Sequence, residues 1–433
     1  MRYDIARNQA RRAVNPRRLR ATVVACLVAA TTTACDKLLD VENPAAVPID
    51  ALDNPALMQT LEAAAIQQFQ CAFVNFVGTA GVLSGEYWVS SNFVNSHPWE
   101  WRGVVQIRNE PGGCPGRNAT SLGFYTPMQQ AQFQLDDLFD RASEFTDQEV
   151  PNRQRMLTEA RVYSGWAHLI LGETMCEMAL DGGPKMTSQQ VWAVAEERFS
   201  EAITLATALG STGDALSLRN MALAGRARAR LDMGKLAEAA ADARLVPAGF
   251  VRNAEFSTAN QNRENRIFNM TVTNRFISVT PSYQNLTVNG QPDPRVRAQN
   301  MNVLGQDGVT PFWRQLKYTT VTQGVPIASY AESQLILAEA STDQAEKLAA
   351  LNRVRALSNI APLTGTVTDD IIIEERRRQL FSEGQRYVDM LRKKLPFQTG
   401  TNRKGQTYSD LTCIPLPDVE TLNNPNFNLG MGD

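Results

Sequence analysis

Two stretches of the sequence place apolar or small residues every three or four positions. The first is Leu157, Ala160, Ser164, Ala167 and Leu171; the second is Trp192, Ala195, Phe199, Ala202, Ala206 and Leu209. A period near 3.6 residues gathers each set into one stripe along an α-helix. Alanine and serine are frequent in both stripes, and side chains that small let two helix axes approach closely. This spacing predicts stacked helix pairs rather than a loosely packed bundle.

Residues 218–246 sharpen the reading. Met221-Ala-Leu-Ala-Gly-Arg-Ala is followed by Gly234-Lys-Leu-Ala-Glu-Ala-Ala, which resembles a tetratricopeptide helix–turn–helix, with glycine at the turn and alanine at the contact. Upstream, Asn54-Pro55 starts a helix that continues through Leu61, Ala65, Phe69, Ala72 and Phe76, because Asn caps well and Pro suits the first helical position. Residues 78–118 then change character, with Gly and Ser turns, an aromatic cluster and Pro111-Gly-Gly-Cys-Pro-Gly; they read as a long surface loop. A second irregular stretch, 250–325, carries short alternating pieces such as Arg275-Phe-Ile-Ser-Val and reads as a loop-rich insertion. Helices resume at Ser329 to Ala340 and Gln344 to Leu357, and one long helix is predicted from about Asp369 to Leu395. Cys413-Ile-Pro-Leu-Pro-Asp is extended. The expected fold is mainly α: a tetratricopeptide-like helix-pair scaffold over 49–433, with a loop-rich insertion and few short strands.

The N-terminus bears on the compartment. Residues 1–34 carry seven arginines and one acid, Asp4, with an apolar run from Ala21 to Ala30. That is the pattern of a secretory signal peptide, and the run falls well short of the roughly 20 residues a membrane span needs. Thr32-Thr33-Ala34-Cys35 resembles the lipobox of bacterial lipoproteins, so Cys35 is expected to carry lipid, with 35–48 as a tether. Loss of residues 1–34 would leave a mature charge near −8, which disfavours nucleic acid as a partner. Cys71, Cys114, Cys176 and Cys413 would then lie in an oxidising compartment, where two disulfides can form in any of three pairings.

Chemistry finds little support. His97 and His168 are the only histidines, so no multi-histidine metal centre can be built. There is no CxxC pair, nucleophile elbow, Walker loop or dinucleotide fingerprint, so neither a cofactor nor a catalytic residue is expected. His168 lies one residue off its helical seam and reads as a helix-surface residue.

Several stretches, taken in order along the chain, resemble the SusD/RagB family. They are Cys35-Asp-Lys-Leu-Leu-Asp-Val-Glu-Asn-Pro, Ala331-Glu-Ser-Gln-Leu-Ile-Leu-Ala-Glu-Ala, Leu351-Asn-Arg-Val-Arg-Ala-Leu, the charged run Glu374 to Arg392, and Ile414-Pro-Leu-Pro followed by Asn424-Pro. The resemblance implies an outer-membrane lipoprotein that captures a glycan or other nutrient beside a TonB-dependent transporter and performs no chemistry. In the late helix, Glu374 with Arg378 and Asp389 with Lys393 are spaced to pair across a turn. Leu380, Phe381, Val388 and Leu391 are expected to face inward, and Glu383 lies near Arg386.

Sugars are held by flat aromatic faces with amides and carboxylates around them. Two clusters have that composition: Tyr87, Trp88, Trp99 and Trp101 with Asn92, Asn95 and Glu100, and Tyr283, Phe312, Trp313 and Tyr318 with Arg314. Tyr87, Trp88, Trp99, Trp101, Tyr283 and Trp313 are the expected ligand contacts, whereas Trp166 and Trp192 sit in helical seams and are expected in the core. If the aromatics are instead buried, the chain reads as an adaptor that holds a partner protein on its repeats. A glycosidase with two carboxylates is a third reading, and carboxylate separation in a cleft would test it.

Overall fold

The computed structural model describes residues 49–109, 112–114, 122–259 and 261–427. The signal segment, Cys35 and the tether to residue 48 lie outside the described residues. Ile49–Leu52 forms a 3₁₀ turn of its own. The body starts with a second 3₁₀ turn, Pro55–Leu57, which leads into α1, Met58–Leu83. Helix α1 therefore continues past residue 78, where the loop was expected. Its last two turns are buried without interruption, so glycines 78 and 81 sit in a packed helix rather than in turns.

Helices α2 (His97–Trp101) and α3 (Val104–Arg108) are single turns. The scaffold proper follows: α4 (Tyr125–Ser143), α5 (Arg153–Thr174), α6 (Ser188–Leu209), α7 (Gly213–Asp232) and α8 (Leu236–Leu245), each packed against the next. Close approach is literal here. A Cβ on Gly165 of α5 would lie 2.7 Å from the Phe199 ring, and one on Gly225 of α7 would lie 2.3 Å from it. Phe199 of α6 thus fills a slot that two glycines leave open. Trp166 is fully buried, and Trp192 packs against the same core at Gly172.

Helix α5 is buried from Met156 to Thr174, which corrects the reading of His168. With helices on both sides, even an off-seam position is interior. His168 Nδ1 lies 2.9 Å from the Ser164 carbonyl, and Nε2 lies 4.0 Å from Asp136. Burial holds its pKa below the usual imidazole value. At the end of the helix, Arg228 of α7 donates from Nε to Glu173 at 2.5 Å and from Nη1 to Glu332 at 3.3 Å. This buried ion triad joins three helices, and removal of one member would leave an uncompensated charge.

The described residues carry ten short strands, β1 (Tyr87–Val89), β2 (Met178–Ala179), β3 (Lys185–Met186), β4 (Val251–Ala254), β5 (Ile277–Val279), β6 (Thr287–Val288), β7 (Gln291–Pro292), β8 (Ala298–Leu304), β9 (Pro311–Gln315) and β10 (Val325–Ser329), and the insertion contains most of them together with α9 (Arg266–Phe268). Its ends are drawn together by β4 (Val251–Ala254) and β10 (Val325–Ser329), an antiparallel pair with a bulge between Pro326 and Ala328. Helices α10 (Tyr330–Ala340) and α11 (Gln344–Ala356) then extend the stack. The long helix expected over 369–395 is in fact two, α12 (Asp369–Gln379) and α13 (Gln385–Arg392). Ser382 and Gly384 between them have φ of 61° and 80°, a left-handed backbone that no helix can accommodate. A last turn, α14, spans Asp418–Asn423.

The break also redirects the ion pairs. Glu374 accepts from Arg378 Nε at 2.6 Å as expected. Asp389, however, accepts from Arg376 and Arg392 at 2.8 Å, and Lys393 instead reaches Glu339 at 2.5 Å. Glu383 pairs with Lys317. Leu380, Phe381 and Val388 are buried, and Leu391 packs partly buried against the core.

Disulfides join Cys71 to Cys114 and Cys176 to Cys413. The second fastens the C-terminal segment beside the end of α5, where Ile414 N donates to Thr174 O and Cys176 N to Ile414 O, both at 2.9 Å. No helix among the described residues is long and apolar enough to cross a membrane.

Candidate ligand-binding site

Strand β1, Tyr87–Val89, alternates its side chains between two faces. Tyr87 turns inward. It is wholly buried, lies 5.9 Å from the Phe381 ring and donates its hydroxyl to Ser382 Oγ at 2.6 Å. Trp88, on the other face, is half-buried and pairs with Ser278 of β5 (Ile277–Val279).

Ser278 connects two ladders. Its hydroxyl donates to Pro311 O at 2.9 Å and accepts from Trp313 N at 2.8 Å. Trp313 lies on β9 (Pro311–Gln315) opposite Asn300 of β8 (Ala298–Leu304). The β8–β9 hairpin tip returns to the chain beyond β1, where Asp307 N donates to Ser90 O at 2.9 Å and Asn92 N donates to Gln306 Oε1 at 2.7 Å. Trp88 and Trp313 are therefore carried by one continuous hydrogen-bonded layer.

Arg403 braces that layer. Its guanidinium carbon lies 4.5 Å from the Trp88 ring centroid, in cation–π range. The same side chain pairs with Glu100, donates to Val89 O, and donates to Thr310 Oγ1 at 3.1 Å. Glu100 is buried, and its other oxygen accepts from Val89 N at 2.6 Å, so it positions Arg403 and β1 instead of waiting for a ligand. Lys404 pairs with Asp307 at 2.6 Å. Burial works against the Asp307 carboxylate, yet hydrogen bonds from Lys404 and Thr310 bring its pKa down to about 2. His97, half-buried, is held below the usual imidazole pKa by burial and then by Lys404. Trp101 is half-buried as well. Its ring lies over Gly103, where a Cβ would fall 2.2 Å from it, and its carbonyl accepts from Ser409 N at 3.0 Å.

Of the six aromatics expected at the surface, Trp88, Trp101 and Trp313 keep exposed area. Tyr87, Trp99 and Tyr283 do not, at 0 %, 2 % and 2 % exposure. Each has a physical reason: Tyr87 alternates inward with Trp88, Trp99 belongs to the main apolar cluster, and Tyr283 is stacked 5.2 Å from Phe381 under the Arg377 guanidinium. Phe312 and Tyr318 are core residues too. Arg403 escaped the sequence reading because it follows Val89 by 314 residues, and nothing local ties an arginine to a tryptophan at that distance. Among the described residues no three metal-ligating side chains converge.

Comparison with known proteins bears on the whole assembly. Residues 152–425 match the SusD family. No curated protein matches the sequence. Among solved structures, a SusD-like carbohydrate-binding protein from Bacteroides vulgatus superposes with a TM-score of 0.63 at 14 % identity, covering 87 % of this chain and 98 % of that one. Surface glycan-binding protein A from Bacteroides thetaiotaomicron, solved with laminarihexaose, gives 0.62 at 15 % identity over 86 % and 98 %. Its counterpart from Bacteroides uniformis gives 0.62 at 16 % identity over the same shares. With residues 152–425 matched, and with solved relatives that share the helix-pair stack along nearly their full length, the chain belongs to the SusD family.

Proposed function

We propose that this protein captures a glycan at Trp88 and Trp313, with Trp101 as a third aromatic contact, and delivers it unchanged to a TonB-dependent transporter, while lipid on Cys35 holds it at the outer membrane. The observation that carries the reading is a contrast within one short stretch. Tyr87 and Trp99 are core residues, while Trp88 stays half-buried with a guanidinium that Glu100 fixes in place lying over its ring. A ring held this way offers a flat apolar face to sugar C–H groups at little ordering penalty. Arg403 over Trp88 and Asn300 opposite Trp313 carry the polar groups that would serve sugar hydroxyls. The complex of a relative with laminarihexaose supports the ligand class. A capture protein beside a pore speeds uptake by raising local concentration, so no catalytic residue is required, and no nucleophile motif occurs in the sequence.

The test is intrinsic tryptophan fluorescence of the full-length protein, titrated with laminarihexaose and a panel of other oligosaccharides. Saturable quenching is expected for at least one of them, with affinity reduced about 10-fold in Trp88→Ala and in Trp313→Ala, the scale of one lost aromatic contact. Absence of any response across the panel would favour the adaptor reading.

A further inference from the structure

A separate concavity of about 500 Å³ lies where residues 84–85, just beyond α1, meet Ser282 and Tyr283 of the insertion, helices α12 and α13, and residues 396–398. That volume is in the range of small-ligand pockets, and none of the three half-exposed tryptophans lines it. Two of its lining side chains are arginines, Arg377 of α12 and Arg386 of α13, and no described aspartate or glutamate lines it.

The two arginines differ in their partners. Arg377 donates to Glu374 from Nε at 2.6 Å and Nη2 at 2.9 Å, and to Ser282 O from Nη1 at 3.1 Å. Glu374 also accepts from Arg378 Nε at 2.6 Å, so one carboxylate is divided between two cations. Arg386 is half-buried and makes no hydrogen bond or ion pair with any described residue; its Nη1 is enclosed without an acceptor. A guanidinium carries five donors and no acceptor, and donors left unserved in a half-buried place cost free energy that a ligand can recover.

The acids around Arg386 do not answer it. Glu383 pairs with Lys317, and Asp389 with Arg376 and Arg392. Glu86 acts on Arg386 through space without forming an ion pair; its Oε1 accepts from Ser382 N at 3.2 Å, and burial pushes its carboxyl up to about 7. The cavity is therefore positive and short of acceptors. A carboxylate supplies one negative charge and two oxygens that match a guanidinium fork. A phosphate monoester, at about −1.5 to −2, calls for more than one free cation. The remaining wall suits an organic skeleton, with Met390, Pro396 and Phe397 apolar. Gln398 beside them is held through Oε1, which accepts from Arg102 Nη1 at 3.2 Å, and its amide nitrogen lies against Gly85 as a further donor on the wall.

We propose that this cavity binds a small carboxylate ligand, with the carboxylate on Arg386 and the carbon skeleton against Met390, Pro396 and Phe397. The site shares no residue with the tryptophan face and does not rest on it. Sugar acids and aliphatic acids present the same group, and the test separates them.

The test is isothermal titration of the full-length protein with glucuronate, glucuronamide, hexanoate and hexanamide. At least one acid is expected to bind, and its amide, of the same size without the charge, at least 10-fold more weakly. Whichever acid binds more tightly identifies the source. Arg386→Gln removes no hydrogen bond that the fold makes and is expected to weaken that acid at least 10-fold. Arg386→Lys, which keeps the charge and loses the fork, should fall between the two. The comparison of acid with amide uses wild type, so it decides the matter even if a variant fails to fold by circular dichroism. Equal binding of acid and amide, no binding of either acid at millimolar concentration, or unchanged affinity in a folded Arg386→Gln protein would overturn the proposal.

Discussion

Trp88 and Trp99 belong to one short stretch of chain and end in opposite surroundings, so the same substitution should have opposite consequences. Trp99→Ala empties a buried site and is expected to destabilise the protein by about 3–5 kcal/mol. Trp88→Ala, at a half-exposed ring, should change stability by about 1 kcal/mol or less while weakening glycan binding. Urea unfolding of the two variants makes the comparison. The sequence did not separate them because β1 is three residues long, too short for a period-two pattern to stand out. A different buried residue governs pH behaviour. Glu86 is fully enclosed, and burial pushes its carboxyl up to about 7 against the opposing pull of the Ser382 amide, Lys317 and Arg386. A carboxyl whose folded pKa lies above its unfolded one stabilises the fold while protonated. That contribution fades as pH rises from about 4.5 to 7. Glu86→Gln cannot ionise, so between pH 5 and 8 it should lose less stability than wild type, by of the order of 2–3 kcal/mol. An identical pH slope in the two proteins, measured by thermal unfolding, would refute this.

At the scale of the element, the helix-pair seam was legible because its information is local. Ala160, Ser164, Ala167 and their counterparts on α6 recur at helical spacing, and the structure packs those helices together. The role of Gly165 and Gly225 was not legible, since a glycine in a helical pattern says nothing about the ring across from it. Gly225→Ala drives a methyl group into Phe199 and should cost about 1–3 kcal/mol. Combined with Phe199→Leu it should cost less than the two changes summed, and a double-mutant cycle reads that coupling. The break between α12 and α13 escaped notice for a related reason. Charged and apolar residues keep a helical period through Glu374 to Arg392, while the partners that fix the turn come from far away: Tyr318 donates to Ser382 O at 3.0 Å and Lys317 to Phe381 O at 2.8 Å. Gly384→Ala meets both the left-handed φ and the Phe76 ring, 2.6 Å from the new Cβ. A loss of about 2 kcal/mol or more is expected, seen as a lower urea midpoint.

Across the whole molecule, the two disulfides differ in reach. Cys71–Cys114 closes 43 residues and ties the loop region to α1, whereas Cys176–Cys413 closes 237. In the chain-entropy account the longer loop gains more, and loss of the bond through Cys176→Ser with Cys413→Ser should lower stability by about 2–5 kcal/mol. Reductant, which opens both bonds, should lower wild-type stability by at least that much and the double variant's by less. Sequence could count the four cysteines but could not pair them, because pairing depends on Ile414 lying beside Thr174, a contact between distant parts of the chain.

That long covalent loop also decides what a single backbone cut would do. Helices α6 to α8, the insertion and helices α10 to α13 all lie between Cys176 and Cys413, and so does the β8–β9 hairpin, whose Val309 is among the most exposed apolar side chains. A single cut at that hairpin would leave both pieces joined through sulfur and held again by the β4–β10 ladder. The nicked protein would run as one band on a denaturing gel without reductant and as two with it, and the half that carries Trp88 would not drift from the half that carries Arg403.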